Sequence, residues 1–403
     1  MSISNSYGRR ENSDPRLYYL DDIPTPYRLG VQRRIAQQWG GAFRIAYCAE
    51  IEPGRRWSLD FDGLDVEFLP GRQWRPPMQR NPFSFKWNPT VIQSLEAFRP
   101  DVVVLSGYAH STMRRTARWC RRKGIPYGIV CESSCRNSHC SGWRWLLKRI
   151  LVAPLVRNMA FGLPVGHEAA DYLQQLAGQE RPMFFFPNTP DTSMFIREAD
   201  WIRENPAIEQ ELREKLGIPS DKKIVLFAGR MIKAKRPADA IKAFFQLDRR
   251  IRDNAVLVMV GEGPLLPALR EMTGIDTACI IFPGWLSDAR TLARLMAISR
   301  CLLLPSEHEP WGAVVNEAMA AGIPVVASDK VSAAIELVEP GIHGFLHAVG
   351  NVQQISSAMA QVLADRASWE RMARAARRQA QAHGEEFAAD NFIKAVNCAL
   401  SEK

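Results

Sequence analysis

Short apolar runs rich in β-branched residues alternate along the chain with stretches that have the length of helices. In the first half, strands are predicted at 17–23, 43–48, 101–105 and 127–130, and helices at 30–39 and 113–123. Residues 52–90 are rich in Pro, Gly, Trp and Arg, which predicts a long irregular segment. Strands that alternate with helices are typical of βαβ units, and these build a parallel sheet.

The same alternation begins again after a polar, charged stretch at 187–222. Strands are predicted at 223–228, 255–260, 279–282, 301–305 and 324–327, and helices at 237–250, 265–272, 289–298, 314–321 and across 352–382. A chain of 403 residues is also longer than one hydrophobic core usually supports. The pattern therefore predicts an α/β domain followed by a second α/β domain.

Composition narrows the class of protein. Hydrophobic residues make up 46% of the chain and charged residues 24%, which is average for a globular protein. No apolar run approaches the 18 residues of a membrane-spanning helix, and the polar start of the chain lacks the apolar region of a secretory signal. We therefore expect a cytoplasmic protein whose eight cysteines are free thiols.

Positive charge is concentrated in the first half. Residues 1–190 hold 26 Lys and Arg against 16 Asp and Glu, whereas the remainder holds 26 against 27. This asymmetry predicts an anionic partner for the first half: a nucleic acid, a phosphorylated acceptor or an anionic membrane surface.

A basic and aromatic segment at 142–163 belongs to this charged half. It contains Trp143, Arg144, Trp145, Lys148 and Arg149 among Leu, Ile and Val. One interpretation is an amphipathic helix that buries its apolar stripe in the domain. The other is a surface that rests on a membrane. The two do not exclude each other.

Candidate chemistry follows the strands of the second half. Ligands of open α/β sheets bind beyond the carboxyl ends of the strands. Gly229 and Arg230 come directly after the predicted strand at 223–228, and Lys235 follows five residues later. A glycine lets a ligand approach the backbone, and two cations suit a diphosphate that gains negative charge as it leaves.

A second cluster follows the strand at 301–305. Glu309 lies in the loop and Glu317 eight residues later in the first turns of the next helix. The backbone amides that begin this helix, those of Trp311, Gly312, Ala313 and Val314, form a site suited to a phosphate.

These motifs resemble family 4 of the glycosyltransferases. The resemblance rests on Gly-Arg-x4-Lys after a strand and on Pro-Ser-x2-Glu-Pro-Trp-Gly-x4-Glu-Ala-Met-Ala-x-Gly-x-Pro-Val-Val, and it covers roughly residues 220–350. Val260-Gly-Glu-Gly-Pro264 and Phe282-Pro-Gly-Trp285 belong to it. The first half is similar, more weakly, to the branch that acts in exopolysaccharide or lipopolysaccharide assembly, through Asp22-Ile-Pro-Thr-Pro-Tyr-Arg28.

The resemblance implies a GT-B fold: two Rossmann-like domains face each other across a cleft, and the C-terminal helix crosses back to the first domain. The expected boundaries are 1–190, with the crossover helix at 386–403, for the acceptor-side domain, and 191–385 for the donor domain. It also implies a retaining reaction that uses neither a metal nor a cofactor. No Asp-x-Asp follows a strand to hold a metal and a diphosphate.

The resemblance assigns roles to the residues already singled out. Arg230 and Lys235 would hold the diphosphate, Glu309 the hydroxyls of the transferred sugar, and Glu317 the ribose. The remaining donor contacts would come from Gly229, Gly261, Trp285, Leu286 and residues 311–314. The donor would be a UDP- or GDP-sugar. The acceptor would be a glycan, expected to be lipid-linked, so the enzyme would be cytoplasmic or peripheral on the inner face of the membrane.

Glu132 departs from the family pattern. Where many members have a histidine after a strand, in the pattern Pro-x5-His that here starts at Pro126, this chain has Glu132. We predict that Glu132 lies in the cleft and orients a hydroxyl of the acceptor or of the sugar, because an ionised carboxylate accepts hydrogen bonds but donates none. The alternative is an ion pair with an arginine of the same domain, such as Arg136.

Three other interpretations are weaker. Gly261 and Gly263 form part of a dinucleotide fingerprint, which would suit an NAD(P)-dependent oxidoreductase, but Pro264 interrupts it. The basic half could bind nucleic acid, although no such motif accompanies it, and we expect none as a partner. A zinc site is disfavoured because Cys131, Cys135, His139 and Cys140 lack paired C-x2-C spacing.

Overall fold

The computed structural model describes residues 14–51, 59–74, 85–135, 142–274 and 279–401, with the side chain of Arg144 also excluded. Within these ranges the chain forms two α/β units. The first contains strands β1 (Leu17–Asp21), β2 (Phe43–Tyr47), β3 (Asp65–Phe68), β4 (Arg72–Trp74), β5 (Phe85–Trp87), β6 (Val102–Leu105), β7 (Tyr127–Cys131) and β8 (Phe161–Pro164). Its helices are α1 (Pro26–Gln38), α2 (Val91–Phe98), α3 (Ser111–Lys123), α4 (Gly142–Leu151), α5 (Ala153–Arg157) and α6 (His167–Ala177).

The second unit contains strands β9 (Lys223–Ala228), β10 (Ala255–Val260), β11 (Ile280–Gly284), β12 (Ser299–Leu304), β13 (Val325–Ser328) and β14 (Gly344–His347). Its helices are α7 (Thr192–Glu204), α8 (Pro206–Leu216), α9 (Pro237–Phe245), α10 (Arg249–Arg252), α11 (Leu266–Thr273), α12 (Ala289–Ala297), α13 (Val314–Ala320), α14 (Ser332–Leu337), α15 (Val352–Ala364) and α16 (Arg366–Ala382), followed by α17 (Glu385–Ser401). A 3₁₀ turn spans Lys233–Lys235.

The two units have the same topology. In the described residues, the first parallel sheet has the order β3-β2-β1-β6-β7-β8 and the second the order β11-β10-β9-β12-β13-β14. Each is the 3-2-1-4-5-6 order of a Rossmann fold, in which the order reverses between the first and fourth strands. This confirms the predicted pair of Rossmann-like domains.

The central strands lie between helices on both faces of each sheet. The runs Val102–Leu105 and Ala255–Val260 are buried at every position. Strands covered on both faces read as continuous apolar runs, which is why the sequence pattern predicted these strands well.

Helix α17 joins the end of the chain to the first unit. It packs against α1 and β8, and the ring of Phe392 lies 5.6 Å from that of Tyr19 and 5.3 Å from that of Phe186. The predicted return of the C-terminal helix to the first unit is therefore present.

Several elements differ from the prediction. Residues 52–90 are not wholly irregular: β3 extends the main sheet, and β4 pairs with β5 as an antiparallel hairpin. The polar stretch at 187–222 contains α7 and α8. β3 has only four residues, which is too short for a clear period. α7 lies in a charged stretch, although its Phe195, Ala199 and Ile202 are buried at helical spacing.

The basic segment at 142–163 is also corrected. It forms α4 and α5 and then enters strand β8, because Phe161–Pro164 pairs with β7. The interpretation that its apolar stripe is buried is wrong for α4: Trp143, Leu146 and Ile150 are 72%, 60% and 62% exposed. Among the described helices, none has both the length and the hydropathy needed to cross a bilayer.

The cysteines need one correction. Cys48, Cys120, Cys131 and three others are free thiols, but Cys135 is disulfide-bonded, so the expectation of free thiols is wrong for that residue. A disulfide depends on two Cβ atoms about 4 Å apart, which spacing along the chain does not fix. His139 and Cys140 lie outside the described residues.

Candidate functional site

Closely packed glycine loops cover the carboxyl ends of β9, β10 and β11. The amide of Gly229 donates to Val260 O at 3.0 Å, and that of Gly261 donates to Gly284 O at 2.8 Å. Gly261 has φ 129°, and a Cβ atom there would lie 2.0 Å from Gly229 O. Only glycine fits at this position. The backbone after β9 is therefore held close to its neighbours, and it carries Arg230 at an exposed position.

Lys235 contacts Glu309 across two loops. The amide of Glu307 donates to Ala234 O at 2.8 Å, which joins the loop after β12 to the 3₁₀ turn. The Nζ atom of Lys235 then pairs with Oε1 of Glu309. Oγ of Ser306, which is fully buried, donates to the same oxygen at 3.0 Å. The predicted diphosphate cation and the predicted sugar-binding acid thus meet at one edge of the sheet.

The loop after β12 is rigidly held. The amide of Glu309 donates to Lys330 O at 3.0 Å, and Oγ of Ser332 donates to Glu309 O at 3.2 Å. Trp311 is buried, and its Nε1 donates to Oδ1 of Asn316 at 3.0 Å. Glu309 is therefore fixed by its backbone as well as by its side chain.

Helix α13 begins where the phosphate site was predicted. Gly312 has φ 96°, and its carbonyl accepts from the amide of Val315 at 2.9 Å. Ala313 is the N-cap, and Val314 is the first helical residue. The first backbone amides of this helix, just after Trp311, have no acceptor within the helix, so their N–H groups are directed outward from its N-terminus.

Glu317 lies one turn into α13. Desolvation by burial raises the pKa of its carboxyl from 4.5 to about 7. Within the described residues no hydrogen bond or ion pair satisfies this carboxyl. A desolvated carboxylate that lacks a partner is suited to accept hydrogen bonds from ligand hydroxyls.

Trp285 and Leu286 follow β11 at the same edge. The side chain of Trp285 is 63% exposed, whereas Leu286 packs against the core. The hydrogen bond from Gly261 to Gly284 places this corner beside the loop after β10. The described residues thus put all the predicted donor-binding positions on the carboxyl edge of the second sheet.

Glu132 follows β7 in the first unit and is paired. Its Oε1 accepts from Nη2 of Arg28 at 2.8 Å and from Nδ2 of Asn188 at 2.9 Å. Arg28 is buried, and the side chain of Glu132 is 45% exposed. Glu132 is therefore in an ion pair, as the alternative proposed, but with Arg28; Arg136 lies outside the described residues.

A second polar cluster was not singled out from the sequence. At the carboxyl end of β1, Oδ1 of Asp22 accepts from the buried Nζ of Lys86 at 2.7 Å and contacts Nε2 of His110 at 2.8 Å. Although burial acts to raise the pKa of Asp22, its hydrogen bond to His110 and the charge of Lys86 lower it. In the sequence, Asp22 had appeared only as the first residue of the motif Asp22-Ile-Pro-Thr-Pro-Tyr-Arg28.

The two units touch beside these sites. Oε1 of Glu336, in α14, accepts from the amide of His167 at 2.6 Å, at the start of α6. The ring of Phe185 lies 6.1 Å from that of Trp311 and 6.0 Å from that of Phe387. The loop that carries Glu309 is therefore in contact with the first unit.

No group of three or more His, Cys, Asp and Glu side chains that could hold a metal occurs in the part of the chain that the structure describes. The site instead presents two cations, two carboxyls and a helix start. This set can bind an anionic leaving group together with hydroxyls.

Two Rossmann-like units and a crossover helix define the GT-B fold. Solved glycosyltransferase structures share it over nearly the whole chain. The Anabaena protein HepE in complex with UDP matches with a TM-score of 0.72 at 17% identity, covering 95% of this chain and 99% of that one. WaaG, a glycosyltransferase involved in lipopolysaccharide biosynthesis, matches with a TM-score of 0.64 at 17% identity, covering 93% and 98%.

Sequence comparison gives matches to the second half of the chain. Residues 208–379 match the family model described as glycosyl transferases group 1. N-acetyl-alpha-D-glucosaminyl L-malate synthase of Bacillus anthracis is 30% identical over 159 residues, which are 38% of this chain and 40% of that protein. The lipopolysaccharide core biosynthesis glycosyltransferase LpsD of Rhizobium meliloti is 30% identical over 152 residues, 35% and 42%. The match thus covers about two fifths of the length of these relatives.

Proposed function

We propose that this protein is a retaining, metal-independent glycosyltransferase. It moves a sugar from a UDP- or GDP-sugar to a hydroxyl of a glycan acceptor, and no cofactor takes part. The observation that carries the proposal is the contact between Lys235 and Glu309 beside Arg230, at the carboxyl edge of the second sheet. It would join a diphosphate-binding cation to a sugar-binding acid, within the segment that matches the glycosyl transferases group 1 model.

The donor would lie along this edge. Its diphosphate would contact Arg230, Lys235 and the amides that begin α13, from Gly312 to Val314. The ribose hydroxyls would donate to the unpartnered carboxyl of Glu317. The base would lie near Trp285 and Leu286, beside Gly229 and Gly261. Support for a nucleotide sugar also comes from solved relatives, since HepE has structures with UDP and with UDP-glucose.

The chemistry exchanges one bond for another at the anomeric carbon. The bond to the diphosphate oxygen breaks, the bond to the acceptor oxygen forms, and the acceptor proton passes to an oxygen of the departing diphosphate. Negative charge grows on the departing diphosphate, and Arg230 and Lys235 stabilise it. Glu309 now pairs with Lys235, so diphosphate binding at Lys235 releases this carboxylate to accept from sugar hydroxyls.

We propose that the first unit binds the acceptor, with domains at 1–190 plus 386–403 and at 191–385. A lipid-linked glycan is the acceptor class, in lipopolysaccharide or exopolysaccharide assembly. This choice draws on the likeness to LpsD and on the structural likeness to WaaG. The reaction would then take place in the cytoplasm, at the inner face of the membrane.

No observation favours the oxidoreductase alternative. Gly261 and Gly263 have a packing role, because a Cβ atom on either would collide with the backbone of Gly229 or Met231. The glycines of the partial fingerprint are therefore explained by loop packing, without a dinucleotide.

A donor screen tests the proposal. The purified protein is incubated with a panel of UDP- and GDP-sugars in EDTA, and release of the nucleoside diphosphate is followed. We expect slow hydrolysis of sugars carried by one of the two nucleotides, unchanged by the chelator. If magnesium or manganese were needed for turnover, the metal-independent mechanism would be wrong. Turnover of NAD(P)H, or a strong salt-dependent affinity for nucleic acid, would replace the proposal altogether.

A further inference from the structure

Helix α4 presents an apolar stripe to solvent. Leu146, Leu147, Ile150 and Leu151 are 60%, 46%, 62% and 55% exposed, and Trp143 precedes them at the same helical spacing. Residues three and four apart share one helix face. A soluble protein rarely exposes a continuous apolar face of this kind unless a partner covers it.

The opposite face of α4 is anchored to the protein. The ring of Trp145 lies 6.0 Å from that of Tyr172 in α6, and Nζ of Lys148 lies 5.3 Å from the centre of the same ring. Val152 and the α5 residue Val156 continue this contact into the core. The outward stripe is therefore held in place by packing on the other side, so the surface is built into the fold.

Positive charge is concentrated in the part of the chain that contains the stripe. Residues 102–160 contain eleven Lys and Arg and a single acidic residue, Glu132. Helix α3, which packs against α5, carries Arg121, Arg122 and Lys123 at exposed positions in its last turn. A second copy of the chain on this face would bring like charges together, whereas anionic lipid headgroups would neutralise them.

We propose that α4 docks this protein on an anionic membrane surface. The helix lies in the plane of the bilayer with its stripe among the upper acyl chains, and the surrounding Lys and Arg contact lipid phosphates. Ten residues span about 15 Å, roughly half the hydrocarbon core, so α4 rests in the interface and does not cross it. Because α6 contacts both α4 and Glu336, docking brings the region between the two units close to the lipid.

This inference rests on the proposed transferase function only in adding a membrane as its partner. The binding test uses neither donor nor acceptor, so membrane docking and transferase activity can each fail without the other. The measurement is flotation of the full chain with vesicles of phosphatidylcholine, with and without phosphatidylglycerol, at low and high salt. Leu146→Gln/Leu147→Gln/Ile150→Gln removes the stripe, and Met272→Gln/Ile342→Gln is its control, since these exposed apolar residues lie in the second unit.

A second variant tests the contribution of positive charge separately from that of the apolar stripe. Arg121→Gln/Arg122→Gln/Lys123→Gln removes three exposed charges from the last turn of α3, and Arg371→Gln/Arg374→Gln/Arg378→Gln removes three exposed charges from α16. Thermal unfolding shows whether each variant is folded. Quenching by brominated lipid, compared between wild type and Trp143→Phe, reports insertion in a protein that keeps its stripe.

We expect the wild type to bind phosphatidylglycerol vesicles at least tenfold more strongly than neutral ones at low salt. The stripe variant should lose at least tenfold, the charge variant should lose the preference for anionic lipid, and both controls should bind as the wild type does. Equal binding of the stripe variant and wild type, or no lipid quenching assigned to Trp143, would overturn the proposal. So would a concentration-dependent dimer that needs the stripe while vesicles are not bound.

Discussion

Burial lowers the pKa of Lys235 to about 8, and the nearby charge of Arg230 acts in the same direction. Contact with the carboxylate of Glu309 acts in the opposite direction and favours the ammonium form. A bound diphosphate would favour it further. Lys235 is thus a partly desolvated cation that needs an anion, which suits a group that stabilises leaving-group charge.

Removing either cation should therefore slow transfer. We predict that Lys235→Ala or Arg230→Ala lowers turnover by roughly a hundredfold or more, because the charge on the departing diphosphate loses a fixed partner. Steady-state nucleotide release measures this. Lys233→Ala is the matched control, since Lys233 is exposed in the same 3₁₀ turn. Turnover of Lys235→Ala close to that of Lys233→Ala would contradict the assigned role.

Glu317 should leave a pH signature on stability. Its pKa is raised from 4.5 to about 7 by desolvation, so between these pH values the native state binds more protons than the unfolded state. The free energy of unfolding then falls as pH rises through this window. Glu317→Gln removes the effect and should be more stable than wild type by on the order of 2 kcal/mol at pH 8, and by little at pH 4.5.

Urea unfolding of both proteins across pH 4.5 to 8 checks this prediction. Burial also raises the pKa of Glu385 to about 7, but Glu385 is present in both proteins and cancels in the difference. A difference that stays constant with pH would mean that Glu317 is ionised and solvated in the native state. Weaker nucleotide binding by Glu317→Gln should accompany the gain in stability, since the ribose would lose its acceptor.

At the level of elements, the sequence predicted the buried parts best. β10 was predicted with its observed bounds because Ala255–Val260 is apolar throughout and buried on both faces. β3 was missed because Asp65–Phe68 is an edge strand of only four residues, within a stretch rich in Pro, Gly, Trp and Arg. The exposure of α4 could not be predicted, since the same apolar stripe fits burial and exposure equally.

Phe392 anchors the crossover helix to the first unit. Phe392 in α17 is fully buried between Tyr19 and Phe186. We predict that Phe392→Ala lowers the free energy of unfolding by about 3 to 5 kcal/mol, from lost contacts and the cavity left behind. Lys394→Ala, exposed on the same helix, is the control. A loss below about 1 kcal/mol in urea unfolding would show that α17 adds little to the first unit.

Contacts between distant residues explain which parts of the site were missed. Motif spacing placed Lys235 and Glu309 after the ends of two predicted strands, but their direct contact joins residues 74 positions apart. The partners of Glu132 lie 104 and 56 positions away, at Arg28 and Asn188. Sequence patterns locate the ends of strands, whereas pairings of this kind follow from how the loops meet above them.

At the scale of the whole molecule, our proposal assigns the acceptor to the first unit and the donor to the second. A variant of Glu132, in the first unit, tests this assignment. We predict that Glu132→Gln lowers transfer at least tenfold while nucleotide affinity stays near that of wild type, because in our proposal the other unit holds the donor. Glu96→Gln, exposed on α2, is the control. An equal loss of nucleotide affinity would point to a role in folding or closure through Arg28 and Asn188.

Titration calorimetry of nucleoside diphosphates in EDTA tests the central claim most directly. The claim is that Arg230, Lys235 and Glu317 hold a nucleotide on the second unit without a metal. We predict that UDP or GDP binds the wild type and Glu132→Gln alike, and binds Lys235→Ala at least tenfold more weakly. Binding that requires a divalent metal, or equal affinity in Lys235→Ala and wild type, would contradict it.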